Sequence, residues 1–154
     1  MKAEYINPFI TATISVFATM LKCEVTRGQP YVKQTHVPEH QISGIVGLSG
    51  RAAGTVVLSL NRDTALAAAE ILLQARPAEI NAEVRDVVGE LTNMVAGAAK
   101  SQLEELQMTL AIPTVVMGRF TVQFPSSTKP ICVPFDSPLG SLTIEVGLVD
   151  TGTV

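Results

Sequence analysis

From Asn81 to Met108 the chain runs without a proline, and its apolar positions recur at helical spacing. At about 100° per residue, Val84, Val87, Val88, Leu91, Val95 and Ala98 share one stripe, with Met94 at its edge. This pattern predicts a core-facing helix capped by Asn81, whose second half, KSQLEELQM, carries lysine and glutamate outward. Asp86, Glu90, Asn93 and Gly97 fall together roughly half a turn away, on the solvent side. That polar row is either a solvated face or a working one.

Upstream, Asn7-Pro8 reads as a helix start, asparagine capping and proline in the first turn. Its apolar face is Phe9, Ile10, Ile14, Phe17 and Leu21, with Thr13 and Val16 beside them. Residues 23–27 alternate as a short strand, and the proline-punctuated residues 28–40 read as loop or irregular edge. Residues 41–48 and 53–60, rich in Ile, Val and Leu around Ser49-Gly50-Arg51, predict a hairpin. Asp63 and Thr64 offer a cap for a helix over 65–73, ended by Arg76-Pro77. After the central helix, residues 114–117, 121–124 and 131–135 read as strands, and a turn at 136–140 precedes a last strand at 141–149.

The order of helix, strand, hairpin and helix, then helix, strands and hairpin, suggests an internal duplication. Glu4-x-x-Asn7 echoes Glu90-x-x-Asn93, although a helix beginning at Asn7 leaves Glu4 ahead of it. The expectation is an α+β fold with two pseudo-repeated halves, an antiparallel sheet of about six strands, and long helices packed on one face. Residues 1–149 form a single domain on this reading, and 150–154 a frayed tail.

Composition narrows the function. A chain of 154 residues, 47% hydrophobic and 16% charged, suffices for one core and is short for two domains. The net charge of −3, with no lysine or arginine cluster, argues against a nucleic-acid partner. Cys23 and Cys132 lie far apart and in no metal-ligand spacing, which fits reduced thiols in a cytoplasm better than a disulfide framework. The apolar N-terminal stretch is interrupted by Glu4, Asn7 and Pro8, and no segment reaches the roughly 18 apolar residues of a membrane span. A cytoplasmic protein with no membrane contact is expected.

Most candidate chemistry has a bland reading. His36 and His40 have i, i+4 spacing, but Pro38 lies between them and no third ligand follows, so no metal site is expected. Gly44, Gly47 and Gly50 belong to the predicted hairpin rather than to a phosphate loop. No serine stands in a nucleophile elbow, and the cysteines read as small core residues. Glu90 and Asn93 remain. Asparagine is a mediocre mid-helix residue, and Gly89, Ala96 and Gly97 occupy or flank the expected exposed side, where another surface can approach. An exposed helix cannot bury a small substrate by itself, which points to chemistry completed in a partner's site.

The run Asp86-Val87-Val88-Gly89-Glu90-Leu91-Thr92-Asn93, continuing Met94-Val95-Ala96-Gly97, resembles the Asp/Ser-x3-Glu-x2-Asn signature of the CheC/CheX/FliY phosphatases of bacterial chemotaxis. INPFI near the start, SGIVGLSG, GTVVLSL, IPTVVMG and the C-terminal hairpin extend the likeness over nearly the whole chain, and the single motif copy is similar to the CheX branch. The resemblance implies a CheC-like fold and dephosphorylation of the phosphoaspartate of a CheY-like response regulator. It implies that Asn93 aligns the attacking water and that Glu90 pairs with the regulator's active-site lysine; Asp86, one turn before Glu90, is assigned to partner contact or local support, and Gly97, on the bare patch, to partner contact. It also implies that this chain binds no cofactor, the regulator contributing Mg²⁺, and that the protein is a homodimer joined at sheet edges. The alternative is a non-catalytic module, related in fold to flagellar switch components, that binds a regulator without hydrolysing its phosphate.

Overall fold

The computed structural model describes residues 1–124 and 128–152. Its first helix, α1, spans Ala3–Leu21, which places the start ahead of the predicted Asn7-Pro8. Lys2 is the capping position and makes no side-chain cap bond, while Pro8 lies within the helix. An interior proline removes a backbone donor and crowds the carbonyl four residues back. Burial overrides that cost: Tyr5, Ile6, Pro8 and Phe9 are all buried. The first turn is also tied down by a 2.7 Å ion pair between Lys2 and Asp150 and by a hydrogen bond from the Tyr5 hydroxyl to the Asp150 carboxylate. Glu4 therefore lies in the first turn of α1 rather than ahead of it, and both Glu4 and Asn7 are exposed.

The predicted hairpin forms from β3 (Ile42–Ser49) and β4 (Ala52–Leu60). A second hairpin joins β7 (Ile131–Asp136) to β8 (Leu142–Asp150). The two meet at the centre, where β4 and β8 pair from Ala52 opposite Asp150 to Leu60 opposite Leu142. Short strands finish the edges: β1 (Thr26–Arg27) and β2 (Tyr31–Val32) on β7, and β5 (Thr109–Leu110) and β6 (Thr114–Met117) on β3. Every pairing is antiparallel, and the path runs β1-β7-β8-β4-β3-β5, with β2 and β6 joining beside it. A long helix precedes each hairpin, α1 before β3–β4 and α3 (Ala82–Ser101) before β7–β8, so the halves correspond. Between them lies α2 (Arg62–Leu73).

The helices cover one face of the sheet. Leu58, Leu60, Leu142, Ile144 and Val146 share a single apolar cluster with Phe9 and Phe17 of α1 and Val88 and Leu91 of α3. Full burial of each such side chain contributes about 1.5–3 kcal/mol. Among the described residues no helix is long and apolar enough to cross a membrane.

Other elements also differ from expectation. Asn61, not Asp63 or Thr64, caps α2: its Oδ1 accepts from the Thr64 amide at 2.9 Å, and Thr64 lies buried inside the first turn. The helix ends at Leu73, as expected, where Gln74 turns left-handed ahead of Arg76-Pro77. The central helix stops at Ser101 instead of continuing to Met108. Leu103, Leu106 and Met108 are drawn inward through a 3₁₀ turn at Glu104–Leu106, and the Leu106 carbonyl accepts from the Arg51 amide at the tip of the β3–β4 hairpin. Residues 121–124 form no strand. They pack on the reverse face of the sheet, where the Val122 amide donates to the His36 carbonyl and buried Phe124 lies over Gly147.

That reverse face is covered too. The Lys33 ammonium, its side chain 1% exposed, lies 3.2 Å from Glu145 on β8 and 2.9 Å from Glu39. The His40 amide donates to Ser59, which also accepts from Ser43.

Candidate functional site

Asn81 caps α3 as predicted, its Oδ1 accepting from the Val84 amide at 3.1 Å. Val84, Val87, Val88, Leu91 and Val95 are buried, as the periodicity requires. A second buried row runs beside them: Gly89, Thr92, Ala96 and Ala99. Thr92 packs over Gly44 of β3 and donates its hydroxyl to the Val88 carbonyl at 2.7 Å, and Gly89 faces Val115 of β6. The expectation that Gly89 and Ala96 flank an exposed side is thereby corrected. They are small because α3 lies close against β3 and β6, and the helix buries two faces rather than one.

What remains outside is a narrow strip. Asp86 and Glu90 are exposed, while Asn93 and Gly97 are half-buried. Among the described residues, Asp86, Glu90 and Asn93 make no side-chain hydrogen bond or ion pair within the chain. Asparagine in mid-helix with its amide free gains nothing for the fold. Asn93 also forms part of the wall of a depression of about 440 Å³ between α1 and α3, lined beside it by Val16, Met20, Met94, Gly97 and Leu110. The contribution of α1 escapes sequence reasoning, since Ser15 and Thr19, which line the same depression, carry no motif.

The other candidates lie elsewhere. Glu4 borders a separate depression with Lys2, Arg51, Glu105 and Asp150. His36 is exposed on the reverse-face segment and His40 half-buried there, its imidazole pushed down by burial. Among the described residues no three His, Cys, Asp or Glu side chains gather into a metal-binding group. Cys23 and Cys132 are free and buried, and burial pushes the Cys132 thiol up to about 11, so that thiol stays protonated near neutrality. A free acid and a free amide on one rigid helix face can orient water and anchor a partner.

Residues 42–136, from β3 through α3 to β7, match the family model of the chemotaxis phosphatase CheX. The chain belongs to the CheX family. A CheY-P phosphatase CheX from Thermotoga maritima is 28% identical over 123 residues, which cover 77% of this chain and 79% of the relative. The crystal structure of a chemotaxis protein CheX from Desulfovibrio desulfuricans superposes with a TM-score of 0.85 at 34% identity, covering 95% of this chain and 99% of that one. The fold recurs at 23% identity in a CheX–CheY–BeF3–Mg²⁺ complex from Borrelia burgdorferi, with a TM-score of 0.75 and coverage of 96% and 99%. CheX membership assigns phosphatase activity, and α3 with its Glu90-x-x-Asn93 strip lies inside the matched region.

Proposed function

We propose that the protein hydrolyses the phosphoaspartate of a CheY-like response regulator by inserting Glu90 and Asn93 of α3 into the regulator's active site. The observation that carries this reading is the unpaired Glu90 and Asn93 on the one strip of α3 that packing leaves uncovered. It is supported by the Thermotoga relative, a CheY-P phosphatase, and by the Borrelia complex, which pairs a CheX with CheY.

In this mechanism the Asn93 amide accepts a hydrogen bond from a water and donates one to the phosphoryl region, holding the water oxygen in line with the phosphorus. The phosphorus–oxygen bond to the aspartate breaks as the water oxygen bonds, releasing inorganic phosphate and a free carboxylate. An acyl phosphate is already labile, so positioning and electrostatics suffice without a nucleophile from this chain. Glu90, one turn earlier, pairs with the regulator's active-site lysine. Asp86 and Gly97 contact the partner on either side. The regulator supplies the Mg²⁺, and this chain contributes no metal ligand.

The same reading places the protein in the cytoplasm with its regulator and includes a homodimer. For the latter, the outer edge of β6 pairs with no further strand among the described residues, and it carries exposed Met117, with exposed Ile112 just before it. Sedimentation of the purified protein as a monomer would remove the dimer from the proposal.

The test is turnover of a panel of phosphorylated receiver domains with the protein at substoichiometric concentration. Multiple turnovers per molecule support catalysis, and binding without turnover would identify an interaction module instead.

A further inference from the structure

Asn93 shares its depression with α1. Ser15 and Thr19 are exposed there, while Met20, Met94 and Leu110 are half-buried. None of the residues lining it carries a charge. A charged side chain entering the depression would lose hydration without gaining a partner, whereas an apolar one would lose only unfavourable contact with water. The two methionines give the lining a shape that adapts to apolar groups of different outline.

Gly97, one turn beyond Asn93, lines the same depression. A Cβ there would meet only Leu110 Cδ1, at 3.8 Å, an ordinary contact, so packing within the chain does not call for glycine. Gly89 differs, since its Cβ would press on Val115 at 3.3 Å. A glycine inside a helix is less favourable than alanine there, because its backbone has more freedom to lose. Gly97 therefore leaves bare backbone beside Asn93, open to the approach of a second molecule.

We propose that Ser15 and Thr19 of α1, with Gly97 of α3, form a specificity groove that accepts an apolar side chain flanking the phosphoaspartate of the receiver. This rests on the phosphatase reading above: if Asn93 reaches the phosphorus through one water, the receiver surface beside the phosphoaspartate must lie over this groove. The groove decides which receivers are served, while Glu90 and Asn93 meet groups common to phosphorylated receivers.

Thr19→Arg fills the groove from α1 without altering α3, and Thr11→Arg, exposed on α1 but not lining the groove, is its control. Steady-state dephosphorylation of a phosphorylated receiver is followed for both, for Gly97→Ala and for Asn93→Ala, with thermal unfolding to confirm folding. Thr19→Arg is expected to raise KM at least about tenfold with kcat little changed, a loss of about 1.4 kcal/mol in partner binding. Thr11→Arg should match the parent, and Gly97→Ala should melt higher yet turn over more slowly. The groove is overturned if Thr19→Arg keeps the parental KM, or if Thr11→Arg loses as much. An active parent with an inactive Asn93→Ala isolates that failure from the phosphatase reading. A parent inactive on every receiver overturns both.

Discussion

Thr92 of α3 fills the space that a side chain at Gly44 of β3 would need: a Cβ at Gly44 would lie 1.9 Å from Thr92 Oγ1. The contact fixes the rotation of α3 about its own axis. With Thr92 seated on the sheet, its neighbour Asn93 is turned about 100° away, toward the groove with α1. Gly44→Ala should force α3 outward and cost about 1–3 kcal/mol by overpacking. Thr92→Ala in the same chain should recover much of that loss. Urea unfolding of the two single variants and the double variant measures the coupling, and additive losses would count against a direct contact.

Asn93→Ala removes a side chain with no intramolecular partner, so its stability should stay within about 0.5 kcal/mol of the parent. Stimulated dephosphorylation should fall at least about 100-fold, equivalent to about 2.7 kcal/mol of barrier. Glu90→Ala should weaken partner engagement as well, seen as a raised KM. Parental rates in both variants would refute the mechanism.

On the reverse face, Lys33 and Glu145 are both almost wholly buried, and burial pushes the Glu145 carboxyl up while the nearby ammonium pulls it back. Lys33→Met leaves that carboxylate without its cation in a dry site, which should cost about 3–5 kcal/mol. Lys33→Met combined with Glu145→Met should regain most of the loss, because two apolar groups leave no buried charge behind. Chemical denaturation of the single and double variants checks this, and a double variant as weak as the single one would contradict it.

Asp150 is held below the usual carboxylate range, first by its hydrogen bond with Lys2, then by the one from Tyr5. A carboxyl depressed by folding stabilises the protein above its unfolded pKa, and the gain is lost as pH falls through the folded value. The difference in melting temperature between the parent and Asp150→Asn should therefore be constant near neutrality and shrink below the ordinary carboxylate range. A difference that grows on acidification would reverse the assigned sign.

Local pattern carried most of the site. The 3.6-residue period of Val84, Val88, Leu91 and Val95 placed α3 and its polar back, and Asn81 marked where it begins, because both signals act within one or two turns. The β3–β4 hairpin was equally legible from its two apolar runs around Gly50. Long-range packing decided the rest. It drew the start of α1 back to Ala3 despite Pro8, since burying Tyr5 and Ile6 outweighs a proline's local cost. It ended α3 at Ser101 so that the Leu106 carbonyl could meet the hairpin tip. It laid residues 121–124 over the back of the sheet and buried Lys33 there with Glu145, where a sequence shows only a charge in a loop. It also turned Gly89 and Ala96 inward and brought α1 beside Asn93. The chain alone names a helix with a free acid and a free amide; contacts between residues far apart in sequence determine how narrow their strip is and what borders it.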